Sequence, residues 1–464
     1  MKKRTIIEPF KIKMVEPLVF LTREARERVV AEAGNNLFLV KSENVTFDFL
    51  TDSGTTAMSA AQWSAMMVAD ESYAGSRSFE RFRSTVEKVM GFSHVIPTHQ
   101  GRAAERAFFG QLVKSGQKVP SNNHFDTTRA NLEYLGAEAV DLVVDEGKDP
   151  SNPAPFKGNL DPVKLEKFCA EHCSKIPIGM ITITNNTGGG QPVSMENLRQ
   201  VASIYKKYEI PFIIDACRFA ENSMFIKTRE AEMGSRTVAS IARETFDLAD
   251  GCLMSAKKDA MSNIGGFIAL RDDYWLADLR NLLILTEGFP TYGGLAARDL
   301  EAMAVGLTEV LDENYLTYRL AVGNYFSEQL NRIGIPTMLP AGGHAVYIDA
   351  KAFLPHIPPE QFPGQAFAVE LYLAEGVRSC EIGSAMFGKF SGDVSGKKKF
   401  TPAAMELVRL AFPRRVYTQS QFDYIIEGFE DIAKNRERIR GLKLIYDPPY
   451  LRHFTARFEC LPGK

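Results

Sequence analysis

Apolar residues in the middle of the chain fall in short blocks separated by amphipathic stretches. Ile178-Gly179-Met180-Ile181-Thr182-Ile183-Thr184 is such a block and reads as a buried strand. The Gly-rich turn 185–192 follows, and then Ser194, a residue type suited to N-cap a helix, with Glu196 in the first turn favoured by the helix dipole. Leu198, Val201, Ala202 and Tyr205 recur at helical spacing and would cover a sheet face. Ile210-Pro211-Phe212-Ile213-Ile214 reads as the next buried strand and ends at Asp215. Two more strand-like runs, 249–254 and 265–270, come after it. This rhythm predicts an α/β fold whose mostly parallel sheet is covered on both faces, with ligand groups at the strand carboxyl ends.

After about residue 310 the pattern changes. A long helical periodicity runs from Leu295 through Tyr318 to Leu330, and isolated strand patterns follow at 345–349 and 408–412. The division this predicts is a large domain over 51–310 and a smaller α+β domain over 311–464. Residues 19–50 are expected to pack with the small domain, and 1–18 to form an N-terminal arm. The Gly-, Ser- and Lys-rich stretch Gly388 to Lys399 reads as an exposed loop.

Composition narrows the function classes. The 464 residues carry 45% hydrophobic and 24% charged side chains and a net charge of −2, which offers no basic surface for nucleic acid. No apolar run is long enough to span a bilayer. Glu8, Lys11, Lys13 and Glu16 interrupt any secretory h-region after the basic Met1-Lys2-Lys3-Arg4, so the expected compartment is the cytosol. Six cysteines suit a reducing environment. Cys169, His172 and Cys173 share a helical face, yet no second ligand pair with zinc spacing accompanies them, so a helix turning its thiols inward is the expectation.

The chemistry concentrates around Ser255-Ala256-Lys257-Lys258, which lies between two strand patterns, with Asp215 ending another. Pyridoxal phosphate (PLP) needs such a set: a lysine for its aldehyde, a carboxylate for its pyridine nitrogen and a hydroxyl for its phosphate. Thr98-His99-Gln100-Gly101-Arg102 precedes a helical stretch, and a Gly at a helix start admits an anion. With Ser255 it would complete a phosphate cup. Phe125 is a candidate to stack on the pyridine face, with an ordinary core aromatic as the competing reading.

Several separate segments carry a resemblance. They are Leu50-Thr51-Asp52-Ser53-Gly54-Thr55, Asp70 to Ser76, Pro97 to Arg102, Gly189 to Ser194, Met254 to Asp259, Thr291 to Leu295, and Leu451-Arg452-His453-Phe454-Thr455-Ala456-Arg457. In order and nearly end to end, the chain resembles the tryptophanase and tyrosine phenol-lyase family. The resemblance implies a PLP-dependent fold type I enzyme, a homotetramer activated by K⁺ or a similar monovalent cation. It also implies cleavage of an aromatic amino acid into arene, pyruvate and ammonium.

By the same resemblance, Lys258 would hold the cofactor and move the Cα proton. Lys257, Ser255, Gln100, Gly101 and Arg102 would surround the phosphate, and Asp215 would pair with the pyridine nitrogen. Arg218 and Asn186 would lie by the phenolic oxygen. Arg409 would clamp the substrate carboxylate, Tyr73 would protonate the departing ring carbon, and Glu71 with the carbonyls of Gly54 and Asn263 would hold the cation. Thr51, Ser53, Phe38 and Phe289 would line the substrate site.

Three positions bear on the leaving group. Ile382 is apolar where the phenol branch has Arg, Asp126 replaces a Thr, and His453 replaces a Phe. An Asp and a His can accept from an indole N–H, so the expected substrate is L-tryptophan. Tyrosine phenol-lyase activity and general elimination from cysteine-type substrates are the alternatives. A PLP aminotransferase would share Lys258 and Asp215 but has no use for the cation site. Cys217 stands where the family usually has Ser or Thr, Ala103 where it has Gly, and Gly188 where it has Ala.

Overall fold

The computed structural model describes residues 6–392, 398–449 and 451–462. They form two compact units. The first is built from the described residues up to Ile7, Ser53–Gly147 and Ala154–Arg319, and the second from Glu8–Asp52, Lys148–Pro153 and the described residues from Leu320 onward.

The first unit contains a five-stranded sheet of β1 (His94–Thr98), β2 (Gly179–Thr182), β3 (Phe212–Asp215), β4 (Gly251–Met254) and β5 (Gly266–Leu270), in the spatial order β1-β5-β4-β3-β2. Strands β2, β3 and β4 are parallel, while β5 runs antiparallel to both neighbours, β4 and β1. Every residue of β2 to β5 is buried, as expected of a sheet covered on both sides. On one face Met180, Ile213, Leu253 and Ile268 pack with Ala104, Ala107 and Phe108 of helix α1 (Gly101–Leu112). On the other, Phe267 meets Phe82 edge-on, with ring centroids 5.4 Å apart.

The reversal of β5 has a useful result. Its first residue, Gly266, pairs with the last residue of β1, Thr98, and Phe267 pairs with the last residue of β4, Met254. The carboxyl ends of β1, β2, β3 and β4 and the start of β5 therefore share one edge. Ser194 caps the helix Met195–Lys207 by accepting from Asn197 N–H, and Leu198, Val201 and Tyr205 are its buried stripe.

The second unit carries a three-stranded antiparallel sheet of β6 (Ala345–Asp349), β7 (Cys380–Ile382) and β8 (Leu407–Ala411), with β8 in the middle. Residues 30–49 are part of its core: Val30, Leu37, Phe47 and Phe49 pack with Phe326, Phe367, Phe422 and Phe429. Leu339 N–H bonds the Pro150 carbonyl at 2.8 Å and ties in the 148–153 segment.

Three sequence expectations need correction. The periodicity from Leu295 to Leu330 is two helices, Ala297–Glu309 and Glu313–Arg332. Asp312 interrupts it, because its carboxylate accepts from Tyr315 N–H at 2.8 Å and starts a new helix. The stretch from Gly388 to Lys399 contains strands, Lys389–Gly392 paired antiparallel with Lys398–Thr401, and residues 393–397 lie outside the described ones. Phe390 and Phe400 face each other across this pair with centroids 4.8 Å apart, an aromatic contact hidden by the polar composition. Of the two thiols expected to turn inward, Cys169 is buried but Cys173 is exposed, because the helix ends at His172.

Candidate active site

The shared edge of the first sheet collects most of the predicted cofactor residues. Helix α1 begins directly after β1, with Gln100 at its N-cap and no side-chain cap bond. A β carbon at Gly101 would lie 2.6 Å from Ser255 Cβ, so only glycine lets the helix start press against the Ser255 turn. Lys257 Nζ reaches Gln100 Oε1 at 3.5 Å. Burial, reinforced by the positive charges of Lys258 and Arg102, lowers the Lys257 pKa. A helix N-terminus facing three converging cations is a fit for a phosphate dianion, which would relieve that repulsion.

The lysine turn is fixed by backbone bonds. Lys258 N–H bonds Ser255 O at 3.3 Å, Ala256 N–H bonds Gly265 O at 3.0 Å, and buried Asp259 accepts from Ala220 N–H at 2.8 Å. Asp215, at the end of β3, is buried and accepts from Cys217 N–H at 3.4 Å. Cys217 Sγ in turn accepts from Ser255 N–H at 3.4 Å. Burial, with repulsion from Asp215 outweighing attraction from Lys258 and Arg218, pushes the Cys217 thiol up to about 12, so it stays neutral. Asp215, Cys217, Arg218 and Lys258 thus share one electrostatic neighbourhood. Asn186 and Arg218 are both buried, and Arg218 N–H bonds the Ile183 carbonyl.

Phe125 is half-buried at the N-cap of helix α2 (Asp126–Tyr134), and Asp126 is buried at its first position. The preceding His124 anchors this corner: its Nδ1 lies 2.8 Å from Asp141 Oδ1, and its N–H donates to the same oxygen at 2.9 Å. Glu105, on α1, was not singled out from the sequence. It is buried and accepts from the Thr128 hydroxyl and from Asn131 Nδ2. Burial raises its carboxyl to about 7, with Asp215 and Asp126 adding repulsion. Its position three residues after Arg102, on the helix face carrying Phe108 and Phe109, is the only sequence signal that could have found it.

The members of the predicted cation set have identifiable partners. Gly54 and Asn263 are neighbours: Asn263 Nδ2 donates to the Gly54 carbonyl at 3.0 Å, and Gly54 N–H bonds the Lys257 carbonyl at 2.8 Å. The Glu71 carboxylate accepts from Ala297 and Arg298 N–H at 2.8 and 3.2 Å, the start of the Ala297–Glu309 helix. Tyr73 is exposed and stacks on Phe289 at 5.1 Å and beside Tyr292 at 5.4 Å. The hydrogen bond its hydroxyl makes to Tyr292 holds its phenol above the ordinary value. Among the described residues, no hydrogen bond or ring contact joins Tyr73 to Lys258. Ser53 also belongs to this unit.

The second unit gathers a different set. Arg409, buried on β8, donates from Nη2 to the Leu50 carbonyl at 2.8 Å, next to Thr51. Ile382 is buried at the end of β7 in a cluster with Tyr347 and Leu407, and Phe38, Leu50, Met386 and Phe387 pack against it. Phe38 stands edge-on to His453 with centroids 5.6 Å apart, and His453 is buried. Asp52 and Arg414 form a fully buried ion pair at 3.0 Å in the adjoining segment, which the sequence did not reveal. Asp126 belongs to the first unit and His453 to the second.

Known proteins give this geometry its context. Residues 48–427 match the beta-eliminating lyase family. The chain is 56% identical to a tryptophanase of Rhodobacter capsulatus, over 99% of this chain and 100% of that one. It is 48% identical to a tyrosine phenol-lyase of Pasteurella multocida, over 97% and 98% of the two chains. A serine palmitoyltransferase from S. paucimobilis, solved with a PLP–myriocin aldimine, superposes with a TM-score of 0.52 at 12% identity, covering 82% of this chain and 84% of that one. The fold is therefore that of PLP-dependent fold type I enzymes. The chain belongs to the beta-eliminating lyase family.

Proposed function

We propose that this lyase cleaves L-tryptophan into indole, pyruvate and ammonium. The observation that carries the choice is Ile382, an apolar side chain buried in a cluster against which Phe38 packs, where a phenol-binding site would present a cation. Full-length identity of 56% to a tryptophanase supports the same reading.

Bound at the sheet edge, PLP would draw electron density from Cα of the amino acid. Lys258 would hold it through its amine and carry the Cα proton, while the Asp215 carboxylate would pair with the ring nitrogen and Phe125 would stack on the ring. Gln100, Gly101, Arg102, Ser255 and Lys257 would hold the phosphate. Arg409, already oriented by the Leu50 carbonyl, would fork onto the substrate carboxylate. Carbon leaves only once the arene is protonated at the carbon bearing the side chain, and Tyr73 is the acid assigned to that proton. Asp126 and His453 would accept from the indole N–H. A site that hydrogen-bonds one polar group rejects analogues lacking it by up to about 10⁴-fold.

The reading extends to a K⁺-type cation at the Gly54 and Asn263 carbonyls with Glu71, and to a homotetramer in the cytosol. No described helix is long and apolar enough to cross a membrane. The deciding experiment supplies the protein with PLP and K⁺ and compares indole, phenol and pyruvate release from tryptophan, tyrosine and an S-alkylcysteine. Indole release well above phenol is expected. Pyruvate from the thioether alone would reassign the protein to carbon–sulfur elimination.

A further inference from the structure

Two buried acids outside the proposed chemistry converge on one turn of the second unit. Strands β7 and β8 are antiparallel neighbours with Ile382 opposite Leu407, so Gly383, just after β7, meets Glu406, just before β8. Glu381 and Glu406 are 3% and 2% exposed. The Glu381 oxygens accept from Ala385 and Met386 N–H at 2.9 and 3.0 Å. Glu406 accepts from Ser384 N–H at 3.0 Å and from the Ser384 hydroxyl.

A β carbon at Gly383 would lie 2.5 Å from Glu406 Oε2 and 2.7 Å from Glu381 Oε1. The two oxygens are therefore no more than ~5 Å apart, a separation at which like charges strongly oppose double ionisation. Gly364, from the helix Pro363–Glu375, presses on the Glu381 stem and brings no charge. From the neighbouring strand end and turn, Asp349 and Lys351 act on Glu406 with opposite signs. Arg409 lies one register step away, opposite Cys380, and points its Nη2 at Leu50. Among the described residues no Lys or Arg forms an ion pair with either acid. Burial and the Glu406 charge push Glu381 up to about 8, and burial raises Glu406 as well.

We propose that Glu381 and Glu406 share one proton, and that this singly charged pair is a positioning device that clamps the 383–386 turn and so fixes Ile382 and Met386 as the apolar wall of the substrate site. The assignment of that wall rests on the tryptophan reading above. The link is direct, since Met386 donates its N–H to Glu381 while its side chain packs against the Ile382 cluster. Losing the shared proton places two anions across Gly383 and loosens the turn.

The test uses the PLP- and K⁺-loaded enzyme and Glu381→Gln, whose amide keeps the neutral form at every pH. KM and kcat for tryptophan and for an S-alkylcysteine are measured from pH 6.5 to 9.5, with thermal midpoints at both ends. The amino group of the substrate titrates identically with both proteins, so their ratio isolates the pair. The wild-type KM for tryptophan should rise about fivefold relative to the variant above pH 8, with kcat and the thioether KM following the variant. The folded-state pKa of Glu381 is raised, so its stability contribution is complete below the unfolded value and is lost as pH rises through about 8. Glu381→Gln should therefore melt above the wild type at pH 9.5, by a wider margin than at pH 6.5, where the loss is still incomplete. Identical midpoints at pH 9.5 would overturn the shared proton, even if the protein makes no indole. A midpoint difference without a KM difference for tryptophan would overturn the positioning role. Glu406→Gln provides the same readouts should Glu381→Gln fail to fold.

Discussion

The edge of the first sheet and the Ile382 cluster of the second unit solve different problems with different materials. At the sheet edge, position comes from backbone hydrogen bonds around Ser255, Lys258 and Gly101, and chemistry comes from charges: Lys257, Lys258, Arg102 and Asp215. Around Ile382, position comes from side-chain packing, with Phe38 and Met386 against the Ile382 cluster, the rings of Phe38, His453 and Phe454 in mutual contact, and Arg409 as a buried cation. A charged cofactor tolerates little displacement, so its cradle is built on strand ends. A ring is recognised by shape and one polar contact, so its wall can be assembled from distant segments and changed by single substitutions.

The contrast breaks most completely at Lys258. Lys258→Ala should abolish the visible absorbance of bound PLP and lower indole release by at least ~10³-fold, since a positioned proton-transfer group alone is worth ~10²–10⁴. Retention of both would sink the cofactor assignment. His453→Phe tests the other region and should cost about 10- to 100-fold in kcat/KM for tryptophan while sparing S-alkylcysteine, because only the former needs a hydrogen-bond partner. Equal losses on both substrates would show that His453 is not a specificity residue.

A smaller effect sharpens the boundary. Glu105 carries a folded-state pKa raised to about 7, so its contribution to stability is complete below the unfolded carboxyl value and disappears as pH climbs through about 7. Glu105→Gln should therefore gain about 1–3 kcal/mol over the wild type at pH 8.5 and almost nothing at pH 3.5, read by denaturant unfolding. The bound-cofactor absorbance should also shift its pH dependence, because Asp215 is one of the charges acting on Glu105.

The two regions were also unequally legible. Strand ends with Asp215 and Ser255 stand out because buried strands are continuous apolar runs and the residue after them must be functional or turn-forming. Ser194 announced its helix by cap chemistry. The reversal of β5 was not legible, because a buried strand looks the same in either direction. Asp312 hid inside a helical periodicity because a capping acid and a surface acid are the same letter. Phe38, Ile382, Arg409 and His453 carry no local signature, and only the family resemblance linked them before Ile382, Phe38 and His453 were seen packed together. Glu105, Glu381 and Glu406 were missed because a charged residue on a strand or helix is ordinarily read as solvated, while these three are buried.

The path of the backbone limits how such an enzyme can be re-engineered. Residues 8–52 and 148–153 belong with the C-terminal unit, although the chain between and after them builds the sheet that carries Lys258. No single crossover between two related genes can therefore exchange the specificity wall as a block. A chimera joined once near residue 320 would inherit Phe38 and Thr51 from one parent and Ile382, Arg409 and His453 from the other. Mismatched parents should reveal themselves as poorly selective hybrids rather than as enzymes with a cleanly transplanted preference.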